Sequence, residues 1–245
     1  MGLESADLSN LPEQLRRYWA DRAAAGASAE GDAAARQLVD SKHPHRSFSP
    51  AYSYGRHRGP APRSAHLASV LITLLPASRN EWEIPLTLRP SKMADHGGQV
   101  SLPGGRTERG ESGWRTACRE FGEELGCTTE YLQPLGELTP LYVYASRHRV
   151  TPWVAVSSLR PSMRPNEEEV AELILLPIRR LISDDVHSVG LLRRGSMEFE
   201  APGFAIEGHF VWGATAMILG EFRAIVRQIV DDSQFEPWLI GTSSP

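Results

Sequence analysis

The chain has 245 residues and a formal net charge of −4, with 41 % hydrophobic and 23 % charged residues. This length and composition fit one packed domain with an extension and exclude a wholly disordered chain. The negative net charge argues against a protein that binds nucleic acid by neutralising phosphates, and no apolar run is long enough to span a membrane.

Residues 1–60 are predicted to form an N-terminal extension, ahead of a main domain at 61–235 and a C-terminal tail at 236–245. The extension has a helical pattern at 11–26 and a linker rich in Pro, Ser, Gly and basic residues at 43–64. It lacks the apolar segment of a secretory signal, and the chain's two cysteines do not suggest a disulfide framework. We therefore expect a cytoplasmic protein.

The main domain alternates apolar runs with turns. Apolar runs predict strands at 64–77, 81–90, 135–144 and 149–158, with a hairpin turn at 78–81. A glycine-rich stretch at 91–105 is predicted to be an irregular loop, and 167–185 to combine a strand with the start of a helix. A late hairpin at 199–213 and an amphipathic helix at 214–232 complete the domain. This order predicts an α/β fold, a mixed sheet with helices packed on its faces.

A further helix is predicted from about Ser112, a suitable N-cap, to Leu125, with Gly126 as its C-terminal stop. Its apolar stripe would pack on the sheet and comprises Trp114, Ala117, Cys118, Phe121 and Leu125.

The same helix gathers three glutamates, Glu120, Glu123 and Glu124, in its last two turns. Like charges at this spacing repel, and the helix dipole disfavours negative charge at this end. A solvated acidic face and a site for a hard divalent cation such as Mg²⁺ both account for the cluster. The helix alone leaves these two readings open.

The residues before the helix add a longer pattern. Seven fixed positions fit G-x5-E-x7-R-E-U-x-E-E-x-G-U, where U is bulky and apolar: Gly105, Glu111, Arg119, Glu120, Glu123, Glu124 and Gly126. Phe121 and Cys127 occupy the U positions, where aliphatic residues are usual. The pattern resembles the Nudix box.

This resemblance implies an α/β/α sandwich with a loop-helix-loop catalytic motif, and hydrolysis of a diphosphate bond with Mg²⁺ or Mn²⁺. It makes Glu120, Glu123 and Glu124 the metal ligands. Glu111 and Arg119 would pair to orient the loop and the helix. Gly104 and Gly105 would let the backbone approach the diphosphate.

The resemblance leaves the general base open between Glu120 and a glutamate from a later loop. In the stretch at 164–173, Glu169 is the first choice and Glu168 the second, and a solvated acidic loop is the alternative reading.

The stretch upstream of the box resembles the signature of Nudix coenzyme A pyrophosphatases, L-L-T-x-R-S/A-x3-R-x3-G-x3-F-P-G-G. The matching positions are Leu86, Thr87, Arg89, Gly98, Pro103, Gly104 and Gly105, and His96 and Gln99 fit a frequent form of the loop. The departures are Pro85, Pro90, Ala94 and Leu102, of which Ala94 replaces an arginine. The resemblance implies that Arg89, His96 and Gln99 contact the substrate.

The leading substrate is therefore coenzyme A or acyl-CoA, cleaved to 3′,5′-ADP and 4′-phosphopantetheine or its acyl form. ADP-ribose or another nucleoside diphosphate derivative is the first alternative, because the upstream signature is weakened. A non-catalytic, nucleotide-sensing domain is the second. The expected partner is a small molecule, with neither nucleic acid nor membrane, and a monomer and a homodimer both remain open.

Overall fold

The computed structural model describes residues 6–28, 46–50, 61–77, 81–93, 96–194 and 197–234. The strands are β1 His66–Pro76, β2 Trp82–Leu88, β3 Val100–Ser101, β4 Gly104–Arg106, β5 Leu132–Glu137, β6 Leu141–Val143, β7 His148–Ser157, β8 Glu172–Pro177, β9 His187–Arg194, β10 Met197–Ile206 and β11 His209–Trp212. The α-helices are α1 Leu11–Ser28, α2 Gly113–Leu125, α3 Ile178–Ile182 and α4 Gly213–Gln234. None of the helices in these ranges is long and apolar enough to cross a membrane.

Eight strands form a mixed sheet in the order β3-β2-β1-β7-β5, with β4 beside β1, β6 beside β7 and β8 beside β2. The pairing of β1 with β7 is parallel and the other pairings are antiparallel. The strands β9, β10 and β11 form a separate antiparallel sheet. The predicted α/β architecture with a mixed sheet is confirmed.

The central strand β1 is buried on both faces, so its consecutive side chains belong to different cores. Leu71 packs with Phe121 and Leu125 of α2, and Ile72 packs in the larger core that α1 and α4 cover. The side chains of Leu71 and Ile72 are both fully buried. Helices therefore lie on both faces of the sheet, and among the described helices α2 covers the face opposite to α1 and α4.

Helix α1, within the predicted extension, shares the larger core. Leu11 and Leu15 are fully buried there. The Trp19 indole donates a hydrogen bond of 3.1 Å to the carbonyl of Glu137 in β5. Phe48, from the predicted linker, stacks on Phe204 with ring centroids 4.4 Å apart. The extension thus contributes structure to the main domain, while residues 29–45, 51–60 and the tail at 236–245 lie outside the described residues.

Several predicted elements differ from the structure. The stretch at 91–105 is not wholly irregular, because it contains β3 and the start of β4. The strand predicted at 135–144 is two strands, since Thr139 directs its N–H and its hydroxyl to the carboxylate of Glu221 in α4 instead of to a neighbouring strand. Strand β9 was missed. The predicted hairpin turn at 78–81 lies largely outside the described residues, although β1 and β2 do pair antiparallel.

Candidate active site

Helix α2 has the predicted ends and orientation. The Ser112 hydroxyl accepts a hydrogen bond of 3.3 Å from the Arg115 N–H, and Gly126 closes the helix in the left-handed conformation with φ 58°. Ala117, Phe121 and the rest of the apolar stripe face the sheet. Glu120 and Glu124 are consequently turned toward the loop that contains β4.

An arginine–glutamate pair joins this loop to the helix. The Arg119 Nε and Nη2 atoms donate to the two carboxylate oxygens of Glu111 at 3.1 and 3.2 Å. Arg119 also donates to the carbonyl of Arg106 at 3.1 Å, and the Thr116 hydroxyl donates to Glu111 at 2.9 Å. The hydrogen bond from Arg119 is the largest cause of the lowered pKa of Glu111. The structure thus brings together the two residues that were predicted to pair.

Glu124 is the most deeply buried of the three glutamates, with 2 % of its surface exposed. Its carboxylate accepts a hydrogen bond of 3.4 Å from the Gly104 N–H and one of 3.3 Å from the Thr87 hydroxyl. Within the described ranges it forms no ion pair. Burial is the main cause that raises the pKa of Glu124 to about 7.

Glu120 lies one helical turn earlier and faces Gly105. A Cβ atom added to Gly105 would be 2.4 Å from the Glu120 Cδ atom, so a larger residue at that position would displace the carboxylate of this glutamate. Arg119 Nη1 lies 2.9 Å from the Glu120 carboxylate. Burial nevertheless raises the pKa of Glu120, because it outweighs the opposing effect of Arg119.

Glu123 points away from the glycine loop. Its side chain is 57 % exposed and contacts the same Arg119 Nη1 atom at 2.9 Å. Among the described residues, no three His, Cys, Asp or Glu side chains are grouped as a ready metal site. Glu120 and Glu124 therefore share the side of α2 that faces the glycines, and Glu123 lies at its edge, held by arginine.

The loop that carries Glu169 is attached to the end of α2. The N–H groups of Arg164 and Asn166 donate to the carbonyls of Leu125 and Glu124 at 2.8 and 2.9 Å. Glu169 is half-buried and its charge contributes to the raised pKa values of Glu120 and Glu124, whereas Glu168 is exposed. Glu169 thus lies close enough to act electrostatically on the other two glutamates, and its choice over Glu168 stays a prediction.

The upstream signature forms a closed loop beside Glu124. Backbone hydrogen bonds of 3.0 Å join Arg89 to Gln99 and Gly98 to Arg89, and the His96 Nδ1 atom lies 2.9 Å from the Gln99 side-chain oxygen. Among the described residues, the buried Arg89 Nε atom has no hydrogen-bond partner, and the charge of Arg89 lowers the pKa of Glu124. Arg89 thus has hydrogen-bonding capacity left near the glutamates, while the departure at Ala94 lies outside the described residues.

A groove of about 530 Å³ opens beside Glu120. It is lined by Arg106, Thr107, Glu108, Arg109, Arg119 and Glu120. Arg106 and Arg109 were missed by the sequence analysis, because the Nudix box leaves their positions free. Thr87 was recognised only as part of a signature, and its hydrogen bond to Glu124 gives it a positioning role.

Comparison with known proteins assigns this arrangement to a family. The model of the NUDIX domain matches residues 66–191, which include the glycine loop, α2 and the loop of Glu169. The chain belongs to the Nudix family. It is a Nudix hydrolase, and enzymes of this family act on small-molecule substrates with the help of divalent metal ions.

Curated Nudix proteins resemble the chain over most of its length. It is 34 % identical over 178 residues to the mitochondrial coenzyme A diphosphatase NUDT8 of Homo sapiens, covering 71 % of this chain and 73 % of that protein. It is 32 % identical over 173 residues to the uncharacterized Nudix hydrolase NudL of Yersinia enterocolitica, covering 68 % and 83 %. Among solved structures, the Nudix hydrolase RenU of M. Smegmatis is 16 % identical with a TM-score of 0.48, covering 74 % of this chain and 94 % of that one.

The carboxylates of this Nudix hydrolase fit a divalent cation. Glu124 is a buried acid with two long hydrogen bonds and no cationic partner in the described ranges, which is costly for a charged group. Glu120 is a second partly buried acid on the same side of α2. Hard cations such as Mg²⁺ prefer carboxylate oxygens. Glu123, the third carboxylate, contacts Arg119 through one oxygen, Oε2, and is more exposed than the other two.

Proposed function

We propose that this Nudix hydrolase cleaves the diphosphate bond of coenzyme A or acyl-CoA, giving 3′,5′-ADP and 4′-phosphopantetheine or its acyl form. The observation that carries the proposal is the signature at 86–105, whose Arg89 acts on the charge of Glu124 and has a buried N–H with no partner in the described part of the chain. The relative named as a coenzyme A diphosphatase supports the same substrate.

In this proposal Glu120, Glu123 and Glu124 hold Mg²⁺ or Mn²⁺. Such a cation supplies charge neutralisation for the diphosphate and lowers the pKa of water. Arg119 and Glu111 position the helix against the glycine loop. The bare backbone of Gly104 and Gly105 leaves room for the diphosphate.

On the substrate side, we assign Arg89 to a phosphate oxygen, because guanidinium donors match phosphate geometry. The side chains of His96 and Gln99 are hydrogen-bonded to each other and stabilise the loop that begins at Arg89. These three residues would orient the substrate so that its diphosphate faces the glutamates.

We assign Glu169 as the general base, with Glu120 as the alternative. Glu169 takes a proton from the water that attacks one phosphorus atom, and the bond from that phosphorus to the bridging oxygen breaks. Exchange of Glu169→Gln should lower kcat by about 100-fold or more. The matched control is Glu167→Gln, an exposed glutamate in the same loop, which should retain wild-type turnover. Equal activities of the two variants would remove Glu169 from the mechanism.

One assay tests the substrate. Purified full-length protein is incubated with Mg²⁺ or Mn²⁺ and, separately, with CoA, acetyl-CoA, ADP-ribose and a nucleoside triphosphate, and the products are identified by mass. Release of 3′,5′-ADP from CoA with the highest kcat/KM is the expected result. Cleavage of ADP-ribose with CoA left intact would overturn the assignment. Tight nucleotide binding without any turnover would favour the non-catalytic alternative.

We propose further that residues 61–235 form the catalytic domain, with 1–60 as its extension and 236–245 as its tail, and that the protein works in the cytoplasm. The extension would serve the catalytic domain through α1, whose Leu11 and Leu15 enter the same core. Imaging of a tagged full-length chain in its native cell would test the compartment.

A further inference from the structure

Three basic side chains project from one face at one end of the main sheet. His66 begins β1 and His148 begins β7, and these residues are register partners whose ring centroids lie 5.5 Å apart. Arg106, the last residue of β4, is the register partner of Ala68. Since partners across a ladder and residues two apart share one face, Arg106 projects from the same face as His66.

No described carboxylate pairs with this group. The ion pairs of the described ranges include neither of the two histidines nor the Arg106 side chain. Burial lowers the pKa of His148, and the positive charges of His66 and Arg106 lower it further. His96, from the signature loop, acts on His148 in the same direction. The lowered pKa favours the neutral form of His148, so this group presents the fixed charge of Arg106 beside imidazole N–H donors, a combination that suits an anion.

The guanidinium of Arg106 favours an anion over a metal cation as the ligand of this group. Imidazoles alone also bind metal cations, but Arg106 is always charged and has only donors. The set therefore suits an anion with several oxygens, such as a phosphomonoester, to which arginine and histidine can both donate.

The position of Arg106 fixes where this anion lies on the substrate. Arg106 directly follows Gly105, lines the groove that contains Glu120, and its carbonyl accepts a hydrogen bond from Arg119. The register puts the Arg106 side chain on the sheet face opposite to α2, whereas Gly105, the residue before it, faces Glu120. An anion held by the Arg106 guanidinium therefore lies one residue along β4 from the glycine loop, on the other side of this strand from the carboxylates. In coenzyme A, the ribose that carries the diphosphate at its 5′ position carries a phosphomonoester at its 3′ position, so one sugar separates the two anions.

We propose that His66, His148 and Arg106 form the subsite that binds the ribose 3′-phosphate of coenzyme A. This inference rests on the proposed function and extends it to selectivity. Dephospho-CoA and ADP-ribose lack this phosphate, so the subsite favours coenzyme A over both of them.

The test compares kcat/KM for CoA and for dephospho-CoA. The wild-type protein should prefer CoA by about tenfold or more, since an unfilled polar subsite penalises the smaller substrate. Exchange of the exposed His66→Gln should lower this preference several-fold, chiefly through KM for CoA. The control is Arg149→Gln, which removes an exposed positive charge next to His148 on the opposite face of β7 and should leave the preference unchanged.

Binding gives a second readout that does not depend on turnover. By calorimetry, 3′,5′-ADP should bind the wild-type protein more tightly than 5′-AMP, and His66→Gln should reduce the difference. Equal use of CoA and dephospho-CoA by the wild-type protein would overturn the subsite, as would equal losses for both in His66→Gln. If ADP-ribose alone is hydrolysed, the proposed function fails, and the binding comparison then decides the subsite separately.

Discussion

At the scale of single residues, Glu124 combines deep burial with very little compensation of its charge. Two long hydrogen bonds, from Gly104 and Thr87, are its contacts with donors in the described ranges. A charged carboxylate in this position lowers the stability of the metal-free protein. It also strengthens the affinity of the site for a cation. The same carboxylate is therefore unfavourable for the metal-free fold and useful for metal binding.

Exchange of Glu124→Gln should lower kcat by about 100-fold or more, because it removes a proposed metal ligand. It should also reduce the rise in Tm that Mn²⁺ produces, while the metal-free variant stays folded, since its amide fits the same space without the charge. Turnover and thermal unfolding with and without Mn²⁺ are the measurements. Glu130→Gln, an exposed glutamate beyond α2, is the control. Near-normal turnover and an unchanged metal response in Glu124→Gln would contradict the metal assignment.

The pair of Glu111 with Arg119 predicts a dependence of stability on pH. The folded pKa of Glu111 lies below its ordinary value of 4.5, so the pair stabilises the fold above that value. The contribution is lost as the pH falls through the folded pKa. At pH 7, Glu111→Gln should lower Tm by about 3 °C, the effect of ~1 kcal/mol in a domain of this size.

The difference in Tm between wild type and Glu111→Gln should shrink as the pH is lowered below 4.5, and thermal denaturation across this range measures it. A difference that stays constant from neutral to acidic pH would show that the charge of Glu111 does not stabilise the fold.

At the scale of elements, the end of α2 and the loop of Glu169 form one unit. Gly126 is in the left-handed region, and a Cβ atom added to it would lie 2.0 Å from the carbonyl oxygen of Arg164. This glycine thus closes the helix and also leaves room for the loop that donates two hydrogen bonds to the helix end. The position of Glu169 relative to α2 depends on both roles.

Gly126→Ala should therefore displace the loop and lower kcat by about tenfold or more, in line with the sensitivity of catalysis to small misplacements. Gly208→Ala is a matched control, because Gly208 also has a positive φ, of 81°, but has open space around its added Cβ atom. The control should be destabilised only by the ~1 kcal/mol that the left-handed backbone costs a residue with a Cβ atom, and it should keep its kcat. Equal kcat values for both variants would contradict the role of the close approach to Arg164.

At the scale of the whole molecule, α1 belongs to the larger core. Leu15→Ala should lower the free energy of unfolding by about 2–5 kcal/mol, the usual cost of truncating a buried leucine. Arg17→Ala, in the same helix with a side chain 73 % exposed, should change it by less than about 0.5 kcal/mol. Chemical denaturation of the full-length variants measures both. A small effect of Leu15→Ala would show that α1 is not needed for the stability of the domain.

Spacing along the chain was sufficient to predict part of this fold and site. Gly105, Glu111 and Arg119 are recognisable because a loop and a helix of fixed length bring them together. The break in the strand predicted at 135–144 was not predictable, because its cause is Glu221, a residue of the last helix. The grouping of His66 with His148 likewise depends on the register of two strands that are distant in sequence.

The double burial of β1 has a consequence for sequence variation. In most strands every second position faces water and accepts many residues, but the stretch at 71–75 is fully buried at each position. Adjacent side chains there pack in two different cores. A change in side-chain volume at one position therefore cannot be compensated by the residues next to it in the chain. Among the elements of this enzyme, β1 should therefore diverge slowly, with substitutions compensated on the helix that covers the affected face.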